Sequence, residues 1–187
     1  MKIMRAVVAL LLGAAVAAWA QEGPPLPKPG PEHELLKQSV GVWDATVEMF
    51  MAPGAAPTVS KGTETNRILG GFWLVSHFQS ELMGQPFEGV GTSGWDPLKK
   101  KYVGTWVDSM SPGMSAMEST WDPATKTSTG WIEGPDLSGK VTKTRETEEW
   151  KDADTRVFTM YGPAGADGKE PVAMRISYKR RPAAPPK

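Results

Sequence analysis

Between Val42 and Lys179 apolar and polar residues alternate in short runs, broken by Gly or Pro about every ten residues. β-Branched and aromatic residues fill the runs, and no helical period survives across the span. The pattern predicts strands at 42–51, 58–69, 72–82, 87–95, 101–108, 115–121, 127–133, 139–150, 155–162 and 171–179. The connections are short (APGAAP, LGG, MGQP and GPAGADGKEP among them), which makes sequential strands antiparallel neighbours. A meander of this length leaves two open edges unless the sheet closes on itself. The expected fold is therefore mainly β: a single antiparallel up-and-down β-barrel of about 8–10 strands. Ahead of it, PEHELLKQSVG has Pro31 suited to a first helical turn and Glu32 and Glu34 near the positive helix end. Leu35 and Leu36 give this segment an apolar side, and Gly41 can stop it. A short helix over 31–39 is expected to cap one mouth of the barrel.

One phrase occurs twice. SGWDPLKKKYVG at 93–104 and STWDPATKTSTG at 119–130 share Ser, Trp, Asp, Pro, Lys and Gly at matching positions. Each Asp-Pro pair falls between two strand-like runs. Pro presets φ for the second turn position, and Asp at the first can hydrogen-bond the turn backbone. The phrase reads as one hairpin used twice, with Asp96 and Asp122 as turn residues rather than catalytic ones. WKDAD at 150–154 is a looser third version.

Several segments together resemble a known group: GVWD at 41–44, RILGG at 67–71, MGQPFEGVGTSGWD at 83–96, KKYVGTWVDSMS at 100–111, DPATKTSTG at 122–130 and ISYKR at 176–180. They resemble the uncharacterised bacterial family called domain of unknown function 1579, from about Pro31 to Arg180. The resemblance implies a calycin-like barrel of the lipocalin and nitrobindin type, and Gly41-x-Trp43 after a short helix is similar to the lipocalin start motif. It implies no established activity. Nitrobindin-like proteins hold haem through a histidine, but neither His33 nor His77 can be placed on that ligand, and no cofactor is expected.

The ends change the picture of where the barrel works. Lys2 and Arg5, the apolar run from Ala6 to Ala18 and the A-x-A triplet Ala18-Trp19-Ala20 form a secretory signal peptide. Cleavage is expected after residue 20, with release to the periplasm or the exterior and no stable membrane insertion. No Cys follows, so no lipoprotein anchor is expected. Residues 21–30 (QEGPPLPKPG) form a proline-rich tether, 31–180 the barrel domain and 181–187 a solvated tail. Cysteine is absent, which removes thiolate nucleophiles, thiolate metal sites and disulfides. Without Lys2 and Arg5 the chain has 19 basic and 21 acidic residues, a balance that argues against nucleic acid as a partner.

Alternation nominates interior residues. Trp43, Ala45, Val47 and Met49 oppose Asp44, Thr46 and Glu48. In 72–82 both faces are apolar near the start: Phe72, Leu74 and Phe78 on one, Trp73, Val75 and His77 on the other. Tyr102, Gly104, Trp106 and Asp108 share a face, and the next strand offers Met117 or Glu118 by phase. The run 143–149 (KTRETEE) is polar on both faces. It is either a solvated edge strand or a strand with inward charges that must pair; Arg145 with Glu118 or Asp108 is the candidate pair. His77 could serve as a base or a ligand, but Glu81 lies roughly 13 Å along the same strand, so one metal cannot use both. HxH, HExxH, GxSxG and GxxxxGK[ST] patterns are absent, and no metal site is expected.

The leading reading is a barrel that binds a small, partly apolar or aromatic ligand without turning it over. Its candidate lining is Trp43, Trp73, His77, Trp106 and Met117, with Asp108, Glu118 and Arg145 as polar groups. Two other classes stay open: an enzyme pairing His77 with Asp108 or Glu118, and a structural barrel with a filled core. The sequence leaves ligand identity and oligomeric state open.

Overall fold

A computed structural model of the chain describes residues 26–52, 54–136 and 138–182. The expected signal peptide, the first half of the expected tether and most of the expected tail lie outside the described residues. Helix α1 (Glu32–Gln38) is followed by ten strands: β1 (Gly41–Met49), β2 (Thr58–Leu69), β3 (Trp73–Leu82), β4 (Gln85–Asp96), β5 (Lys101–Asp108), β6 (Ser115–Asp122), β7 (Thr127–Pro135), β8 (Val141–Asp152), β9 (Thr155–Tyr161) and β10 (Val172–Arg180). Each strand pairs antiparallel with the next, and β10 returns to β1, so the sheet closes as a barrel.

Local chemistry sets the hairpins. The Asp96 carboxylate accepts the N–H groups of Leu98 (2.8 Å) and Lys99 (3.1 Å). Asp122 accepts the Ala124 N–H and the Thr125 hydroxyl, each at 2.9 Å. Lys100 and Lys126 then take the same left-handed φ of 53° to re-enter the sheet. At the third version Asp152 accepts the Asp154 N–H (2.8 Å), and a register shift between Trp150 and Asp152 explains its looser spelling. The repeat is architectural.

The apolar ambiguity of β3 is resolved by a glycine on its neighbour. Leu74 and Phe78 are buried inside, and Trp73 lies outside over Gly94 of β4, where an added Cβ would come within 2.4 Å of the indole. Inside, the Trp106 ring covers Gly89 and Gly91 in the same way; a Cβ on Gly89 would approach it to 2.1 Å. Bare backbone on one strand thus accommodates an indole from the next on either face.

α1 lies across one end. Leu36 packs on Leu74 and Tyr102. The Tyr102 hydroxyl donates to the Glu32 carbonyl (2.9 Å), and the Ser39 carbonyl accepts both Trp43 Nε1 (2.9 Å) and Asn66 Nδ2 (3.0 Å). The helix is therefore anchored at both of its ends. Pro29 of the tether packs against Gly71.

The interior is uneven. Trp43, Val47, Phe78, Ile176 and Tyr178, from β1, β3 and β10, form a dense cluster. Across from them, mid-barrel positions on β4 to β7 carry small residues: Ser93 pairs with Gly104, and Ser119 with Gly130. The sheet itself keeps Gly104 and Gly130 bare, since a Cβ there would fall 2.1 Å and 2.2 Å from the carbonyl oxygens of Thr92 and Glu118.

Candidate functional site

Small side chains facing large ones leave a cavity of about 560 Å³ inside the barrel. It runs from Leu35 and Leu36 beneath the helix to Met110, Pro135 and Asp136 at the other end. Trp106, Trp121, Met117, Ile132, Phe158 and Met160 give it apolar walls, and seryl and threonyl hydroxyls are scattered between them. The volume lies within the range of small-molecule sites, roughly 300–1,000 Å³. Among the described residues no helix lies across the end opposite α1.

Charge enters the interior from β2, β8 and β9. Arg156 is 5% exposed and bonds Glu64 and Glu148, while Glu64 also accepts Asn66 Nδ2 at 2.6 Å. The guanidinium sits 4.0 Å from the Tyr178 ring centre and 4.7 Å from that of Trp43. Burial works against the Arg156 charge, but Glu148 and Glu64 outweigh it and hold the pKa above the ordinary value. A buried guanidinium enclosed by two carboxylates and aromatic faces is a structural brace. Glu146, one inward step along β8, is different. It is 9% exposed, and its Oε2 has no hydrogen-bond partner in the protein. Burial, reinforced by the nearby Glu148 charge, pushes its carboxyl up to about 7. Among the described residues no group of three or more His, Cys, Asp or Glu is placed to hold a metal.

The sequence profile of the family described as "Protein of unknown function (DUF1579)" matches residues 28–180. The chain belongs to the DUF1579 family. No curated protein matches it. Among solved structures, Rv2717c from M. tuberculosis is similar over 83% of this chain and all of that one, with a TM-score of 0.60 at 11% identity. A redesigned β-barrel aligns over 79% of this chain and 95% of its own, with a TM-score of 0.42 at 14% identity. The likeness to Rv2717c is one of fold.

Half of the residues nominated by sequence face the interior of this DUF1579 barrel. Trp106 and Met117 line the cavity. Asp108 lines it at the end away from α1, where it accepts Trp106 Nε1 at 3.0 Å and the N–H groups of Met110 and Ser111 at 2.9 Å each. Trp43 is inside but wholly buried, with its ring against Trp150 and Arg156 rather than on the cavity.

Four nominations are corrected. Trp73 is outside, on Gly94. His77 shares that outer face and contacts Glu88 at 2.6 Å, so it forms no interior pair with Asp108 or Glu118. Glu118 points outward between Lys99 (2.5 Å) and Lys101 (3.1 Å); these bonds, that from Lys99 foremost, hold its carboxyl down at about 2. Arg145 is also outside, bonded to Glu170 and lying 3.5 Å from the Tyr161 ring centre. The strand with two polar faces does carry inward charge, but on Glu146 and Glu148, and of these Glu148 pairs with Arg156. Sequence reasoning missed Glu64, Glu146, Glu148 and Arg156. The signal was Trp150: counting back from it by twos along β8 gives Glu148, Glu146, Thr144 and Thr142, all on the cavity.

Proposed function

We propose that this barrel is a binding protein for a small, partly apolar molecule held in its interior. The cavity of about 560 Å³ carries this reading. A structural barrel gains stability from filling its interior, whereas here serines and glycines stand at mid-barrel, and Trp106 and Trp121 remain at the cavity wall. The acid–base alternative loses its support with His77 outside.

The test is titration with N-phenylnaphthylamine, an apolar dye that brightens out of water and accepts energy from tryptophan. Saturable binding at one site per chain, with energy transfer from the interior indoles, is the expected result. Ser119→Phe places a ring in the cavity and should abolish the signal without lowering the melting temperature. Non-saturable binding, or equal binding by the folded variant, overturns the reading.

Residues 1–20 further support export of the protein, with the barrel working in the periplasm or outside the cell. Protein recovered from its host should begin at Gln21; an intact leader on the folded protein refutes this.

A further inference from the structure

We propose that the molecule held in the barrel is a lipophilic amine, bound as its cation, with Glu146 as the counter-charge. This rests on the binding reading above and names the chemical class of the ligand. Among the described residues seven charged ones border the cavity: Glu64, Asp108, Glu146, Glu148 and Arg156 on the inner face, Asp136 in the turn after β7, and the exposed Glu81 at the rim. Six are acids and one is a base. That base is already paired, since the two terminal nitrogens of Arg156 bond Glu148 and Glu64; only its buried Nε–H has no partner. With one guanidinium between two carboxylates, the brace keeps an excess negative charge, and among the described residues the cavity lining offers no cation outside that brace to an anionic guest.

Glu146 is the second and independent observation. Its side chain lines the cavity, is 9% exposed, and carries an oxygen with no protein partner. Among the described residues it makes no salt bridge. The groups facing it from neighbouring elements do not supply one: β7 turns Ser128, Gly130, Ile132 and Gly134 inward, and the only charge that β9 turns inward is Arg156. Glu148 on its own strand is a like charge. Across β7, Gly130 is paired directly with Glu146, and Ser119 lies beyond it. The space beside the carboxyl is therefore kept open by backbone that cannot carry a side chain. A buried carboxyl with neither a cation nor a hydrogen bond at one oxygen is destabilising where it stands. An ammonium group meets both needs at once, and the Trp106, Trp121 and Phe158 rings suit both its apolar body and its charge. Burial raises the Glu146 pKa to about 7, so the free site is part protonated near neutrality and gives up its proton as the cation enters.

A matched series separates the possibilities: decylamine, decanol and decanoate, each competing with N-phenylnaphthylamine on the full protein. Decylamine should displace the dye at least about tenfold better than decanol at pH about 8, and the advantage should shrink at pH about 5.5, where Glu146 is protonated while the amine keeps its charge. Glu146→Gln should bring amine and alcohol together while still binding the dye. Parity of amine and alcohol in the wild-type protein, stronger binding of decanoate, or an amine preference that survives in Glu146→Gln would overturn the proposal while leaving the barrel a binding protein. Failure of the dye and of all three competitors to bind would overturn both readings. Because the wild-type series and its pH dependence stand alone, the proposal stays testable even if the variant does not fold.

Discussion

Glu146 couples pH to stability in the direction opposite to that of a salt-bridged carboxylate. Its folded pKa is about 7 against an ordinary 4.5. Between those values the native chain binds a proton that the unfolded chain releases. Its contribution is thus fully favourable below 4.5 and is lost as pH rises through 7. The loss is on the order of 3 kcal/mol. Glutamine keeps the shape and cannot ionise. Glu146→Gln should therefore melt with the wild type near pH about 4 and above it near pH about 8.5, read by calorimetry without ligand; equal melting at the higher pH would show that the wild-type carboxyl is ionised without penalty. Why sequence reading passed over this residue is itself physical. β8 has no apolar face in 143–149 to fix its phase, so inside and outside were indistinguishable there. Arg156, two residues past the turn residue Asp154, looks like an ordinary surface cation, and its partner Glu64 lies on β2, far away in the chain. Pairings of that kind exist only once the sheet has closed.

Elements were far more legible than side-chain partners. Alternation in β1 and punctuation by Gly and Pro located all ten strands, because each depends on a few adjacent residues. The helix was legible for the same reason, from Pro31, its acidic first turn and its apolar pair. The facing of β3 was not, since its outer Trp73 is accommodated by Gly94, a residue on another strand. The repeated hairpin carries a prediction at this scale. Asp96→Ala removes two backbone hydrogen bonds in an exposed turn and should cost about 1 kcal/mol in a urea melt. Lys100→Gly relieves a left-handed side-chain residue and should add up to about 1 kcal/mol. Neither should change dye affinity, and a change beyond about threefold, some 0.7 kcal/mol, would place the turn in the site after all.

For the whole molecule, the closing seam has a consequence in time. β1 residues 43–49 pair with β10 residues 174–180, so the two ends of the domain form one continuous ladder. Nine of the ten strand pairings join sequence neighbours, and this one spans nearly the entire domain. Loop-closure entropy makes so distant a pairing the slow step of a meander, and until it forms both edge strands stay open to other chains. The buried anchors are divided across the same seam, with Trp43 and Val47 on one side and Ile176 and Tyr178 on the other. A chain still growing from its N-terminus can assemble hairpins one after another, but its core stays unsealed until the last strand arrives. Maturation of the barrel is therefore a single late event, and its interior becomes a compartment only once β10 has joined β1.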